Sequence, residues 1–276
     1  MAVIGFSVTE GTAQQAAPAP DVLSIGGSVT EIVYALDEGH RLIARDTTST
    51  FPEQANQLPD VGYMRALSPE GVLSVKPELI ISEDGAGPPE TIEILEEAAI
   101  PFVVIPDDYS REGVIAKIHA VGEALGASQK ADALAEEVDA ELGRAVAQSN
   151  AYDGAPKKVL FILSTQGGRI LASGTNTAAD GIIRLAGAEN AVTAFEGYKP
   201  MTDEAVSAAA PDVILMMDRS GNHGAANDEL FAMPALIPTP AAKSRSVVRM
   251  NGLYLLGFGP RTADAVTDLN TALYGS

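Results

Sequence analysis

The chain has 276 residues, 46% of them apolar, and its 37 acidic against 18 basic side chains give a net charge of −19. This length is enough for two domains with a sizeable core, and the acidic balance argues against nucleic acid or an anionic membrane surface as a partner. The absence of cysteine excludes disulfides, thiolate catalysis and cysteine-based metal sites. The three histidines lack the spacing of four that a helical zinc motif requires.

The first 20 residues are expected to form a leader outside the fold. The apolar piece MAVIGFSV precedes a stretch rich in Ala, Gln and Pro, without the positive segment that begins a complete signal peptide. We expect an export-related leader. No run approaches the ~20 apolar residues of a membrane span.

Strand and helix patterns alternate from residue 21, and we assign residues 21–112 to an N-terminal lobe. The sequence predicts strands at VLSIGG, HRLIARD, PELIIS and IPFVVIP, separated by helical patterns. Ser28, with Glu31 three residues later, has the spacing of a capping box at the start of the first helix. Such alternation predicts a parallel sheet with helices on both faces.

Residues 113–150 carry apolar residues at helical spacing and no strand-like run. We expect a long connector helix here, with Gly126 as the point where it would break. The alternation restarts in residues 151–276, assigned to the C-terminal lobe, with strands predicted at KKVLFILST, PDVILMM and RSVVRM. The predicted fold is α/β: two Rossmann-like lobes with parallel-rich sheets, joined by one long connector helix, with a ligand cleft between them.

A short internal repeat supports the two lobes. SPEGVLSVKPELI, residues 68–80, matches TDEAVSAAAPDVI, residues 202–214, at an offset of 134. Both segments have a hydroxyl residue, an acidic first turn at Glu70 or Glu204, a short helix, a proline and a buried strand. The repeat predicts equivalent helices and strands in the two lobes.

One loop carries the most informative polar pair. In VGYMRALSPE, Tyr63 stands two residues before Arg65, just ahead of a predicted helix start at Ser68. Tyr63 is either a loop tyrosine packed against that helix or a metal ligand. Ferric iron binds the phenolate form, and a neighbouring arginine stabilises that negative charge. Tyrosine is known as an axial ligand of haem iron.

Several stretches resemble the periplasmic haem-binding proteins of bacterial haem ABC importers. These stretches are RDTTSTFPEQANQLPDVGYMRALSPEGVLSVKPELII, EDGAGPPE, STQGGRILASGTNTAADGIIRLAGAENAV and LLGFGPRTADAVTDL. The resemblance covers most of residues 21–276. GYMRALS and GAGPPE are its specific parts, whereas the other segments are shared with the wider group that binds cobalamin and ferric siderophores.

The resemblance implies a role for each candidate residue. Tyr63 would be the axial ligand to ferric haem b, and Arg65 its hydrogen-bonding partner. Glu70 and Glu204 would dock on arginines of an inner-membrane ABC permease. Arg219 would meet a haem propionate. The apolar candidates for contact with the porphyrin, which are equally good core residues, include Met64, Leu67, Met216, Met217 and Phe258. We expect the loop GAGPP to shape the cleft.

The remaining basic residues have two interpretations each. Arg261, in GFGPR, is either a second propionate partner or a structural residue of the turn into the last helix, which we favour. His223 either approaches the iron or is an exposed loop histidine, which we favour. The protein is expected to be a periplasmic monomer that catalyses no reaction.

Other functions stay open at this point. A cobalamin or siderophore binder fits the fold. Such ligands bring their own metal coordination, however, so they would not need Tyr63 as a metal ligand. A tetrapyrrole chelatase would require a metal site of His and Glu side chains, and three dispersed histidines do not favour such a site. A binder of bare ferric iron would need further ligands at one point, such as Tyr109 or Tyr198.

Overall fold

The computed structural model describes residues 19–218 and 226–275. The first lobe contains a four-stranded parallel sheet in the order β2-β1-β3-β4. Its strands are β1 (Val22–Ile25), β2 (Leu42–Arg45), β3 (Leu79–Glu83) and β4 (Phe102–Ile105). Every residue of β1 and β3 is buried, as expected for central strands covered on both faces. The parallel sheet predicted for this lobe is confirmed.

The helices of the first lobe follow the predicted alternation. They are α1 (Gly27–Ala35), α2 (Pro69–Ser74), α3 (Pro89–Glu97) and α4 (Arg111–Leu125). The predicted capping box on α1 is wrong, because Gly26 is the N-cap and no side chain caps the helix. Ser28 instead donates a hydrogen bond to Glu83 at 2.7 Å, and Glu31 pairs with Arg261. Both polar side chains are used for contacts between elements.

The predicted connector divides at Gly126, where the backbone adopts φ +68°. Glycine reaches this left-handed conformation at little cost, so α4 ends there and α5 (Ser128–Ser149) begins after it. The two helices lie side by side, with Gly122 close to Ala131 and Arg111 paired to Asp139 at 2.6 Å. The long connecting helix is therefore α5, which packs against α4 on one side and the C-terminal helix on the other.

The second lobe contains a mixed sheet in the order β10-β9-β5-β6-β8, with β7 beside β5. Its strands are β5 (Lys158–Ser164), β6 (Ile170–Ser173), β7 (Glu189–Asn190), β8 (Tyr198–Met201), β9 (Val213–Asp218) and β10 (Val247–Asn251). Strands β5, β7, β9 and β10 run parallel, whereas β6 is antiparallel to both neighbours. The sequence predicted β5, β9 and β10 but not the three short strands.

Six further helices complete this lobe in the described residues. They are α6 (Ala178–Leu185), α7 (Asp203–Ala209), α8 (Asn227–Phe231), α9 (Pro240–Ser244), α10 (Gly252–Leu256) and α11 (Thr262–Tyr274). Within the part of the chain that the structure describes, no helix is both long and apolar enough to cross a membrane.

The internal repeat is present in three dimensions. Ser68 and Thr202 each cap their helix: the side-chain oxygen accepts a hydrogen bond from the backbone N–H three residues later, at 3.1 and 3.2 Å. Both helices are followed by a left-handed residue at the equivalent position, Lys76 (φ +53°) and Ala210 (φ +45°). Glu78 and Asp212, also 134 positions apart, accept backbone N–H bonds beside the first strand of their lobes. The two lobes therefore share a helix–strand unit down to its backbone conformation.

The lobes are joined by one hydrophobic core. The largest cluster of buried apolar side chains includes Val29 and Ile118 from the first lobe and Phe161, Ile182 and Leu269 from the second. Two smaller clusters lie within single lobes. Because interiors pack tightly and resist deformation, this shared core favours a fixed angle between the lobes.

Candidate ligand cleft

Tyr63 lies at the carboxyl edge of the first sheet. Strand β2 ends at Arg45, and Asp60 returns to form an isolated bridge with that residue. The segment that follows the bridge, including Tyr63, is thereby held beside the ends of the parallel strands. In open α/β sheets, ligands bind outside this edge.

The Tyr63 side chain points outward from a well-packed loop. Its exposed fraction is 46%, whereas Val61 and Met64 on either side are each only 7% exposed. Gly62 precedes it with φ +104°, a conformation that side-chain-bearing residues rarely adopt. The loop is therefore fixed by burial of its apolar residues, and it presents one large polar aromatic group.

The two stretches that were most specific in the sequence form one hydrogen-bonded unit. The backbone N–H of Gly87 donates to the carbonyl of Met64, and that of Leu67 donates to the carbonyl of Gly87, both at 2.9 Å. Thr91 donates to the Leu67 carbonyl at 3.2 Å. The GAGPP loop thus supports the tyrosine loop directly, which is consistent with its expected part in shaping the cleft.

Arg65 is exposed and lies within electrostatic range of the second lobe. Burial raises the pKa of Tyr198, whereas hydrogen bonds from Thr177 and Ala179 and the positive charge of Arg65 lower it. Tyr198 belongs to β8, so this influence crosses from one lobe to the other. The charge of Arg65, two residues from Tyr63, therefore acts on a residue of the other lobe.

The other two tyrosines of this region are poor candidates for phenolate ligands. Burial raises the pKa of Tyr109, and the nearby carboxylate of Asp107 raises it further. The ring of Tyr109 packs edge-on against Phe258, with 5.4 Å between centroids. No group of three or more His, Cys, Asp or Glu side chains suited to a metal ion occurs among the described residues. The bare-iron alternative gains no support.

Two predicted porphyrin contacts are core residues in this structure. Met64 belongs to the core of the first lobe, and its sulfur lies 4.0 Å from the Thr48 hydroxyl. Phe258 is 1% exposed. Contact with a porphyrin would require either side chain to move, so both assignments stay predictions. Arg219 and His223 lie outside the described residues.

Arg261 is engaged within the protein. Its Nε and Nη2 atoms donate to the two carboxylate oxygens of Glu31 at 2.9 and 2.8 Å. Its guanidinium also lies 3.5 Å from the centre of the Phe51 ring. These contacts agree with the favoured structural role and leave little of the guanidinium for a propionate.

The two predicted docking residues occupy equivalent, exposed places. Glu70 is in the first turn of α2 and Glu204 in the first turn of α7. A hydrogen bond from its own backbone N–H and one from Thr202 lower the pKa of Glu204. Negative charge at a helix N-terminus is also favoured by the helix dipole. Each lobe therefore presents an exposed carboxylate at the equivalent position of the repeat.

Residues 22–252 match the profile of the family described as periplasmic binding protein. The chain belongs to this family. Its members are binding proteins and not enzymes, so the expectation of a non-catalytic protein is confirmed at the level of the family.

Solved structures of similar proteins extend this result. A structure of the periplasmic haem-binding protein BhuT in complex with two haems is 40% identical, with a TM-score of 0.87 over 92% of this chain and 97% of that one. The apo form of the haem-binding protein RhuT from Roseiflexus sp. RS-1 is 37% identical, with a TM-score of 0.88 over 93% and 98%. The predicted two-lobe fold is thereby confirmed.

Curated relatives are more distant. The ABC transporter substrate-binding lipoprotein YvrC of Bacillus subtilis is 27% identical over 92% of this chain and 79% of its own length. The vitamin B12-binding protein of Vibrio campbellii is 25% identical over 91% and 88%. This family member is thus a periplasmic substrate-binding protein of an ABC transporter, and its structure is similar to those of haem-binding proteins.

Proposed function

We propose that this protein captures ferric haem b in the periplasm, through the phenolate of Tyr63, and delivers it to an inner-membrane ABC permease. The observation that carries the proposal is the exposed tyrosine on a buried, hydrogen-bonded loop at the carboxyl edge of the first sheet. The likeness to BhuT and RhuT supports haem as the class of ligand.

The chemistry of the loop suits a ferric porphyrin. A phenolate is a hard anionic ligand of the kind that ferric haem iron accepts. Arg65 supplies local positive charge, which the anionic propionates need in a protein of net charge −19. A flat ligand bound at Tyr63 would lie in the predicted cleft between the two lobes.

Cobalamin is the second candidate, because the vitamin B12-binding protein of Vibrio campbellii spans most of the chain. The two ligands differ in what they ask of the protein. Cobalamin brings its own axial ligand, so it gives Tyr63 no metal to bind. A requirement for Tyr63 would therefore favour haem.

Ligand selectivity tests the proposal. The purified protein would be titrated with hemin and, separately, with cyanocobalamin, using intrinsic fluorescence and visible absorption. We expect hemin binding that saturates at about one haem per binding site, and no cobalamin binding at the same concentrations. Tight cobalamin binding without hemin binding would replace the proposal with the second candidate.

A further inference from the structure

We infer that Asp60 is a positioning residue for the tyrosine ligand: it fixes the backbone turn that aims Tyr63 into the cleft. This inference rests on the proposed function. Asp60 does not act on the Tyr63 side chain directly. It acts on Gly62, the residue just before Tyr63.

Asp60 gathers three donors on one carboxylate. Its Oδ1 accepts from the Gly62 backbone N–H at 2.8 Å and from the Thr47 hydroxyl at 3.1 Å. Its Oδ2 accepts from Arg45 Nη1 at 2.6 Å. An aspartate that bonds a backbone N–H two residues on stabilises a tight turn. Here the turn leads directly into the ligand residue.

The same turn is fastened to the sheet on its other side. The backbone N–H of Thr47 donates to the Gly62 carbonyl at 2.9 Å, and that of Val61 donates to the Arg45 carbonyl at 3.0 Å. Gly62 is therefore held at both its N–H and its carbonyl, with φ +104° between them. Few backbone degrees of freedom remain for rotating Tyr63.

Arg45 gives the carboxylate its counter-charge. The Arg45 side chain is 11% exposed and that of Asp60 39%. This pairing matters because an unpaired carboxylate three positions from a phenolate would oppose the phenolate charge. The Nε of Arg45 is buried without a hydrogen-bond partner. Removing Asp60 would leave that buried cation with the Asp46 carbonyl as its remaining acceptor in the described contacts.

Removal of a group that orients a metal ligand usually lowers the metal affinity about 10–100-fold, because the ligand is no longer held in its productive orientation. We expect the lower end for Asp60, since it acts through the backbone. A positioning role also predicts an altered iron environment, which a general loss of stability would not produce in the folded fraction.

The test compares hemin affinity and the visible and electron paramagnetic resonance spectra of the ferric complex across four variants. Asp60→Ala should bind hemin on the order of tenfold more weakly and shift the tyrosinate band. Asp60→Asn keeps an acceptor for Gly62 but loses the charge for Arg45, so it should be intermediate. Tyr63→Ala should lose the band.

Asp139→Ala is the matched control. Asp139 also pairs with an arginine at 2.6 Å, but on the α4–α5 hairpin. The Asp139→Ala variant should bind hemin with the affinity of the unaltered protein and give the same spectra. Thermal unfolding by circular dichroism would establish that each variant is folded, and Asp60→Asn carries the test if Asp60→Ala does not fold.

The outcomes separate this inference from the proposed function. Wild-type affinity and spectra in folded Asp60 variants, with Tyr63→Ala impaired, would overturn the positioning role alone. A loss of affinity with an unchanged spectrum would overturn it as well, because Tyr63 would then be placed correctly. An unaffected Tyr63→Ala would overturn the proposed function and the inference together.

Discussion

Glu31 of α1 and Arg261, at the start of α11, form a two-pronged ion pair across the lobes, with N–O distances of 2.9 and 2.8 Å. The Glu31 side chain is 6% exposed and that of Arg261 27%. The backbone N–H of Arg261 adds a third bond to Glu31 at 3.3 Å. The pair joins α1 of the first lobe to the start of α11 in the second, so it constrains the same lobe angle that the shared core favours.

Replacement of Arg261 by alanine should destabilise the protein, because it leaves a buried carboxylate without its partner. Breaking a buried pair costs about 3–5 kcal/mol, and the partial exposure of Arg261 places the expected loss of unfolding free energy near the lower end. Urea unfolding followed by circular dichroism measures it. Arg111→Ala, which breaks an exposed pair, should cost at most about 1 kcal/mol.

Hemin titration of the same variant separates the two roles considered for Arg261. If its role is structural, folded Arg261→Ala should bind hemin within a few-fold of the unaltered protein. A much larger loss of affinity in a folded variant would reinstate Arg261 as a propionate partner.

Lys117 is a second charged link between the lobes. It is fully buried, and its Nζ donates to Asp107 at 2.6 Å, Glu83 at 2.8 Å and the Gly257 carbonyl at 3.3 Å. Burial disfavours its charged form, yet the two carboxylates outweigh this effect and leave the pKa of Lys117 raised. Lys117→Met should therefore cost about 3–5 kcal/mol of unfolding free energy, because both carboxylates lose their cation.

The double variant Lys117→Met/Glu83→Gln tests that explanation. Burial already raises the pKa of Glu83, and Lys117 opposes the shift. Neutralising Glu83 should recover part of the stability lost in Lys117→Met, with the two effects non-additive. Additive losses would indicate that the charges are not coupled.

Glu38 predicts a pH dependence in the acid range. Lys130 and Arg41 lower its pKa below the ordinary 4.5, against the opposing effect of burial. An unfolded chain then binds more protons than the folded one, so this stabilisation is present above about pH 5 and is lost as the pH falls. Glu38→Gln should be less stable than the unaltered protein at neutral pH, and the difference should shrink on acidification.

The control for this measurement is Glu97→Gln, which removes one exposed glutamate from the end of α3. Urea midpoints for the three proteins would be compared from neutral pH downward. A difference between Glu38→Gln and the unaltered protein that stays constant with pH would contradict the role given to the Lys130 and Arg41 contacts.

Glu70→Ala combined with Glu204→Ala should weaken stimulation of ATP hydrolysis by the cognate ABC permease reconstituted in liposomes. Hemin affinity should be unchanged, because both side chains are exposed on helix first turns. Glu90→Ala, an exposed glutamate in the first turn of α3, is the matched control. Full stimulation by the double variant would remove the docking assignment.

The sequence was sufficient for most of the regular elements and not for the contacts between them. Strands β1, β3, β5 and β9 are continuous apolar runs, and the Ser68 and Thr202 caps have a strong local signature, so both were predictable. Strand β7 was missed because it has only two residues, and β8 because it is partly exposed and contains a proline.

The candidate site divides in the same way. Tyr63 and Arg65 stand out because folding does not require a loop tyrosine two residues before an arginine. Ser28 and Glu31 misled the prediction because their partners, Glu83 and Arg261, are 55 and 230 positions away. Asp60 was overlooked, although an aspartate two residues before a glycine is a common turn signal.

The visible spectrum of the hemin complex of Tyr63→Phe tests the central claim most directly. Phenylalanine keeps the ring and removes the oxygen, so the loop should fold as before. We expect the unaltered protein to give a high-spin ferric tyrosinate spectrum and Tyr63→Phe to lose it. Tyr152→Phe, at an equally exposed tyrosine, should leave it intact. A tyrosinate spectrum that persists in Tyr63→Phe would contradict the account.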